Sequence, residues 1–134
     1  MSAVRILLAD DQPLVRAGLR RIIEADSTLI VVGEAADGRE AVDQVLGVRP
    51  DVVLMDVRMP IFDGIEATRR LAAAGSTARV IVLTTFGLDE YVVAALRAGA
   101  SAFVLKEAPP EQLLSAIHEV AGGRAIIDPG VARP

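Results

Sequence analysis

Apolar residues recur along this chain in two alternating patterns. Short continuous runs, Val4–Ala9, Leu29–Val32, Val52–Met55, Val80–Leu83 and Ala102–Leu105, are separated by longer stretches with helical spacing. The runs are rich in β-branched residues and show no strict in–out alternation. Strands buried on both faces read this way, and such strands belong to parallel sheets. Gly33 and Glu34 follow the second run, which places that strand nearer a sheet edge. The intervening stripes are Val15, Leu19, Ile22 and Ile23; then Ala41, Val42, Val45 and Leu46; then Ile65, Thr68, Leu71 and Ala72; then Val92, Val93 and Leu96; and last Leu113, Leu114, Ile117, Val120 and Ala121. Each marks one face of a helix. Asp37 with Glu40 reads as an acidic capping box. Gly47, Gly75, Gly99 and Gly122 follow four of the stripes, where a left-handed C-cap favours glycine. Pro110 suits the first turn of the last helix. Five β-α units in a row predict a doubly wound α/β domain with right-handed crossovers and helices on both faces of the sheet.

Composition narrows the function classes. The 134 residues match one domain of ordinary size, taken as 1–123, with 124–134 as a linker. Hydrophobic residues make up 52% and aromatics only 3%, so the core is aliphatic. A net charge of -4 argues against direct contact with nucleic acid. The absence of cysteine excludes disulfides, thiolate metal sites and thiol nucleophiles. The first apolar run is too short for a signal peptide or a membrane span, so a soluble cytoplasmic protein without membrane contact is expected. The 14 basic residues comprise 13 arginines and a single lysine, Lys106.

Open α/β sheets bind ligands at the carboxyl ends of their strands. Asp10 and Asp11 follow the first run, Asp56 the third, Thr84 and Thr85 the fourth, and Lys106 the fifth. The β-α pattern therefore brings these groups to one edge. Three carboxylates together repel and call for a cation. With no His or Cys among them, a hard ion such as Mg²⁺ fits better than Zn²⁺. A lysine and a threonine hydroxyl opposite can hold phosphoryl oxygens. The set suits a carboxylate nucleophile that becomes an aspartyl phosphate. Asp56 follows the central strand, and Pro60 forces a turn that lets the Arg58 carbonyl face the pocket. Asp10 and Asp11, just before Pro13, are better placed to hold metal. Taken singly, each group has an ordinary role in a turn, a strand or a solvated surface. Their joint placement at four strand ends selects the functional reading. His118, near the end of the last helix, reads as a surface partner of the helix dipole.

The strings Leu8-Ala9-Asp10-Asp11, Leu54-Met55-Asp56-Val57-Arg58-Met59-Pro60 with Asp63-Gly64, Thr84, and Ala98 through Lys106 resemble the receiver domains of two-component response regulators. The likeness runs from about Val4 to Gly123. It implies a flavodoxin-like (βα)5 fold with a five-stranded parallel sheet in the order 2-1-3-4-5. It implies Asp56 as phosphoacceptor, Asp11 as a direct Mg²⁺ ligand, Asp10 as one acting mainly through water, and the Arg58 backbone carbonyl as the third protein ligand. Lys106 is implied to contact the phosphoryl group, Thr84 to move toward it, and Phe103 to follow as an aromatic switch. The output is then a shift of the face built by the fourth helix, fifth strand and fifth helix, or of a dimer interface. The donor implied is a phosphohistidine on a sensor histidine kinase.

Leu83-Thr84-Thr85-Phe86 and Leu105 through Leu113 resemble the NarL/FixJ (LuxR-type) subfamily, whose members carry a C-terminal helix-turn-helix DNA-binding domain. DNA contact would then come only through a domain beyond Pro134, in control of transcription. The module is a phosphoacceptor, catalysing only its own phosphorylation and dephosphorylation. Glu107 stands where many receivers have proline, so a cis bond after Lys106 is not expected. A stand-alone receiver and a phosphorylation-independent interaction module are the alternatives. An aspartyl-phosphate phosphatase fails because Gln12 and Pro13, not an acid at the required spacing, follow Asp11. A flavin carrier fails because two aspartates after the first strand repel a phosphate.

Overall fold

A computed structural model of the chain describes residues 3–85, 89–123 and 126–127. The elements are β1 (Val4–Ala9), α1 (Pro13–Glu24), β2 (Leu29–Ala35), α2 (Gly38–Val48), β3 (Val52–Asp56), α3 (Gly64–Ala73), β4 (Arg79–Thr84), α4 (Asp89–Ala98), β5 (Ala102–Leu105), α5 (Pro110–Ala121) and β6 (Ile126–Ile127). All strand pairs are parallel, and the sheet order is β2-β1-β3-β4-β5-β6. The expected order 2-1-3-4-5 is thus present, and a two-residue strand extends it beyond β5. That strand is too short to register as an apolar run. The rest of the expected linker, 124–134, lies outside the described residues, as does Phe86.

The sheet separates two aliphatic cores. Ile6, Leu8, Leu29, Val31, Val52, Leu54, Ile81 and Val104 face α1 and α5. Leu7, Ala9, Ala35, Val53, Met55, Val80, Val82 and Phe103 face α2, α3 and α4. β3 is buried along its whole length, as the unbroken apolar run requires. No described helix is long and apolar enough to cross a membrane.

Several local expectations change. β2 does not stop at Val32 but runs to Ala35 through a bulge. Its register with β1 passes from Ile6↔Val31 to Leu7↔Gly33. Gly47 lies inside α2, and the left-handed cap falls on Arg49 (φ 57°). Gly75 and Gly99 are left-handed as expected, whereas Gly122 is not, and Gly123 takes that conformation instead. The α4 stripe is displaced. Val93 and Leu96 are exposed, while Ala95 and Ala98 are buried beside Val92. Small residues let this helix sit close to its neighbours, so its apolar bulk gives a misleading guide to its inner face. Among the described residues no peptide bond is cis, in line with Glu107 after Lys106.

Candidate functional site

Strand register brings the predicted residues together. Ala9 pairs with Met55, so Asp10 and Asp56 each stand one step past a paired position. Asp56 pairs with Leu83, next to Thr84, and Thr84 pairs with Leu105, next to Lys106. The Lys106 N–H donates to the Thr84 carbonyl at 2.8 Å. An open cavity of about 600 Å³ is lined by Asp11, Asp56, Arg58, Thr84, Thr85 and Lys106, with Gln12, Met59, Pro60 and Asp63 at its sides.

Asp10, Asp56 and Thr84 are buried, whereas Asp11 is exposed. One carboxylate oxygen from each of Asp10, Asp11 and Asp56 lies within 4.8 Å of the other two. Lys106 Nζ bridges the buried pair, 3.0 Å from Asp10 Oδ2 and 3.2 Å from Asp56 Oδ1. Burial pushes the Asp56 carboxyl up from 3.8 to about 6, and the charge of Asp10 adds to the rise. The charge of Lys106 and hydrogen bonds from Lys106 and the Arg58 backbone N–H only partly oppose it. Burial by itself would lower the Lys106 ammonium. The hydrogen bond to Asp10 and the charges of Asp56 and Asp10 outweigh it and hold the group above its ordinary value.

The loop after β3 is braced from behind. The Gly64 N–H donates to the Val57 carbonyl at 2.8 Å, and a Cβ there would overlap the Asp56 carbonyl oxygen. The Gly38 N–H donates to the Pro60 carbonyl at 3.2 Å, tying the loop to the start of α2. Ile61 takes φ 76°, and the Phe62 N–H closes a three-residue turn onto the Pro60 carbonyl at 3.0 Å. A β-branched residue rarely adopts that conformation, so backbone strain is stored in the loop that follows β3.

Phe103 is not in the cavity. It is fully buried in the core shared with α4. His118 is also remote, its Nε2 2.8 Å from Asp26 Oδ2, just past the C-terminal end of α1. Hydrogen bonds from Thr28 and then from His118 hold the Asp26 carboxyl down at about 2. Sequence reasoning missed Arg16, whose Nη1 donates to the Asp10 carbonyl at 2.6 Å and whose Nε donates to Glu34 Oε1 at 2.9 Å. Its one signal was an arginine on the inner half of an otherwise apolar helix face. Gly64 was noticed only as part of a string, not as the residue that makes room for Asp56.

The response regulator receiver domain family matches residues 6–118. The transcriptional regulatory protein YxjL of Bacillus subtilis is 46% identical over 92% of this chain, which spans 56% of that protein's length. The signal receiver domain of the response regulator NarL from Mycobacterium tuberculosis is 33% identical, with a TM-score of 0.90 over 92% of this chain and 100% of that one. A LuxR-family two-component response regulator from Aurantimonas sp. SI85-9A1 is 39% identical, with a TM-score of 0.92 over 97% of this chain and 93% of that one. The chain belongs to the response-regulator receiver domains, signalling modules of two-component systems, with relatives in the NarL/LuxR group.

Proposed function

We propose that the chain receives a phosphoryl group on Asp56 from a phosphohistidine of a sensor histidine kinase. The observation that carries this is the convergence of Asp11, Asp56, Thr84 and Lys106 around one open cavity, with the buried Asp10 carboxylate close behind them. In the transfer, an Asp56 carboxylate oxygen forms the new P–O bond as the P–N bond to the imidazole breaks. The imidazole nitrogen keeps the electron pair and takes up a proton.

The donor set fits Mg²⁺. Three carboxylate oxygens lie close together, and no described nitrogen or sulfur ligand joins them. Asp11 and Asp56 would hold the ion directly, Asp10 mainly through water, and the Arg58 backbone carbonyl would complete the protein ligands. When bound, Mg²⁺ supplies positive charge that offsets the carboxylates and the incoming phosphoryl oxygens. Lys106 then has a new anion to hold. Its ammonium, placed between Asp10 and Asp56, needs only to turn toward a phosphoryl oxygen. Thr84 offers a hydroxyl from the neighbouring strand end. Phe103 lies in the core between β5 and α4, so a shift of Thr84 reaches the α4-β5-α5 face through packing. Arg58 and Thr85 line the cavity and tune the lifetime of the acyl phosphate.

The full-length protein acts in the cytoplasm as a transcription regulator. Residues 1–123, extended by the β6 strand Ile126–Ile127 that pairs with β5, form the receiver, and the remainder of 124–134 leads to a C-terminal helix-turn-helix DNA-binding domain. Support comes from the name of YxjL and from the 56% of its length that this chain spans. Phosphorylation favours a homodimer.

The test is incubation with a small phosphodonor and Mg²⁺, read by intact mass. The expected result is an acid-stable, base-labile adduct on the wild type that Asp56→Asn lacks. No adduct, or the same adduct on Asp56→Asn, sinks the assignment. Sedimentation with beryllofluoride tests the dimer, and an unchanged mass there refutes it.

A further inference from the structure

The pair Asp10–Asp11 sits where backbone support runs out. β1 ends at Ala9 and β2 at Ala35. The Asp10 N–H still reaches the Ala35 carbonyl at 3.0 Å, but no strand continues to receive the Asp10 carbonyl. Helix α1 begins with Pro13, which has no N–H, and its N-cap Gln12 makes no side-chain cap. A buried carbonyl in such a place needs a donor. Arg16, one turn into α1, supplies it with Nη1 at 2.6 Å. The Gln12 N–H then holds Asp10 Oδ1 at 2.9 Å. The peptide joining Asp10 to Asp11 is thereby held at its carbonyl by Arg16, while the Asp10 N–H and carboxylate on either side of it are tied to Ala35 and Gln12.

Arg16 is itself held by a device in the neighbouring strand. Leu29 and Val31 face α1 and α5. With strict alternation Ala35 would share their side and Glu34 would point the opposite way. The bulge between Val31 and Gly33 reverses the order. Ala35 enters the opposite core, and Glu34 turns toward α1. There its Oε1 receives Arg16 Nε at 2.9 Å and its Oε2 receives Arg20 Nη1 at 2.6 Å. Bulges near functional sites commonly re-aim one side chain in this manner. The Arg16 side chain is only 17% exposed, so its geometry is set by these partners rather than by solvent.

We propose that Arg16, anchored by Glu34, which the bulge turns toward α1, is a positioning residue that orients the Asp10–Asp11 peptide for cation binding. This rests on Asp11 and Asp10 being metal holders, as assigned above. Arg20 shares Glu34 but makes no contact with Asp10, so it separates positioning from general support of α1.

The experiment measures the Mg²⁺ dissociation constant by calorimetry, and amide exchange at Asp11 and Gln12 by NMR in metal-free protein. The variants are Arg16→Ala, Arg16→Lys, Glu34→Gln and Arg20→Ala. Supporting groups behind metal ligands typically contribute ten-fold or more to affinity. Arg16→Ala is expected to weaken Mg²⁺ roughly ten-fold and to speed exchange at Asp11 and Gln12. Arg16→Lys, with a single ammonium in place of the fork, recovers only part of the loss. Glu34→Gln gives a smaller loss, and Arg20→Ala stays within about two-fold of wild type. Arg16→Ala binding like the wild type overturns the proposal, as does an equal loss in Arg16→Ala and Arg20→Ala. Should the wild type bind no Mg²⁺, the site assignment itself falls. Amide exchange then decides the positioning role alone, and unchanged exchange at Asp11 and Gln12 in Arg16→Ala refutes it.

Discussion

At the scale of single residues, the site is a charge problem solved at a cost to stability. Two carboxylates at 4–5 Å repel by roughly 3–4 kcal/mol at an effective dielectric of about 20. Lys106 offsets part of this for Asp10 and Asp56. Asp56 shows the remaining penalty. Its carboxyl gains a proton near pH 6 in the folded protein rather than near 3.8. The folded state therefore binds that proton more tightly than the unfolded chain. Stability from this group is present below about pH 4 and is lost as pH rises through 6. Transmitted in full, the loss at neutral pH is about 3 kcal/mol. The open cavity reduces it to roughly 1–2 kcal/mol. Asp56→Asn is thus expected to raise the unfolding free energy from urea titration in EDTA at pH 7.5 by that amount, with a higher midpoint, and the gain should vanish by pH 4. A lower midpoint for the variant at pH 7.5 would show that the carboxylate is stabilising as an anion. The place of Asp56 in the cavity was legible in the sequence because strand ends are predictable. The penalty was not, because it depends on the close approach of Asp10 and on burial that no spacing reveals.

At the scale of elements, caps read well where a side chain makes them and poorly where the backbone does. The Asp37 half of the box predicted at Asp37 and Glu40 is present, while Glu40 returns one residue further than the box requires. Asp37 Oδ1 receives the Glu40 N–H at 2.7 Å, and Glu40 reaches back to the Ala36 N–H at 2.9 Å. Asp63 caps α3 in the same way, receiving the Glu66 N–H at 2.8 Å, although its string was read only for resemblance. Asp37→Ala is expected to cost about 1 kcal/mol in urea unfolding, and a change near zero would mean that water replaces the cap. At the other end of α2, Gly47 misled because glycine marks a left-handed residue only when the helix stops there. Arg49 now carries φ 57°. What it offers the fold is its carbonyl, which receives Arg5 Nη1 at 2.7 Å, and glycine offers the same carbonyl. Arg49→Gly is therefore expected to raise stability by roughly 1 kcal/mol, the cost of a left-handed non-glycine residue. A destabilised variant would mean that the Arg49 side chain packs to useful effect. The β2 bulge was illegible for a different reason. Gly33-Glu34 after an apolar run looks like the end of a strand, and only pairing with β1 shows the chain continuing.

At the scale of the whole molecule, the proposed cation site joins parts of the sheet that are far apart in sequence. Asp10 and Asp11 follow β1 and Asp56 closes β3, so a cation held by all three binds only the folded chain. An unfolded chain leaves these carboxylates apart and holds Mg²⁺ weakly. Mass action then stabilises the native state by about 2.7 kcal/mol when free Mg²⁺ is 100 times its dissociation constant. For a domain of this size each kcal/mol moves the melting temperature by roughly 4 °C. The expected rise on saturating the protein with Mg²⁺ is therefore about 10 °C, reversed by EDTA. Asp56→Asn should start higher in EDTA and gain much less from Mg²⁺, so the two melting curves approach each other as the metal is added. That convergence distinguishes site binding from a general salt effect, which would move both proteins alike and would be matched by an equal ionic strength of NaCl. Parallel shifts in wild type and Asp56→Asn would place the cation elsewhere on an acidic surface and leave the three aspartates without their common ligand.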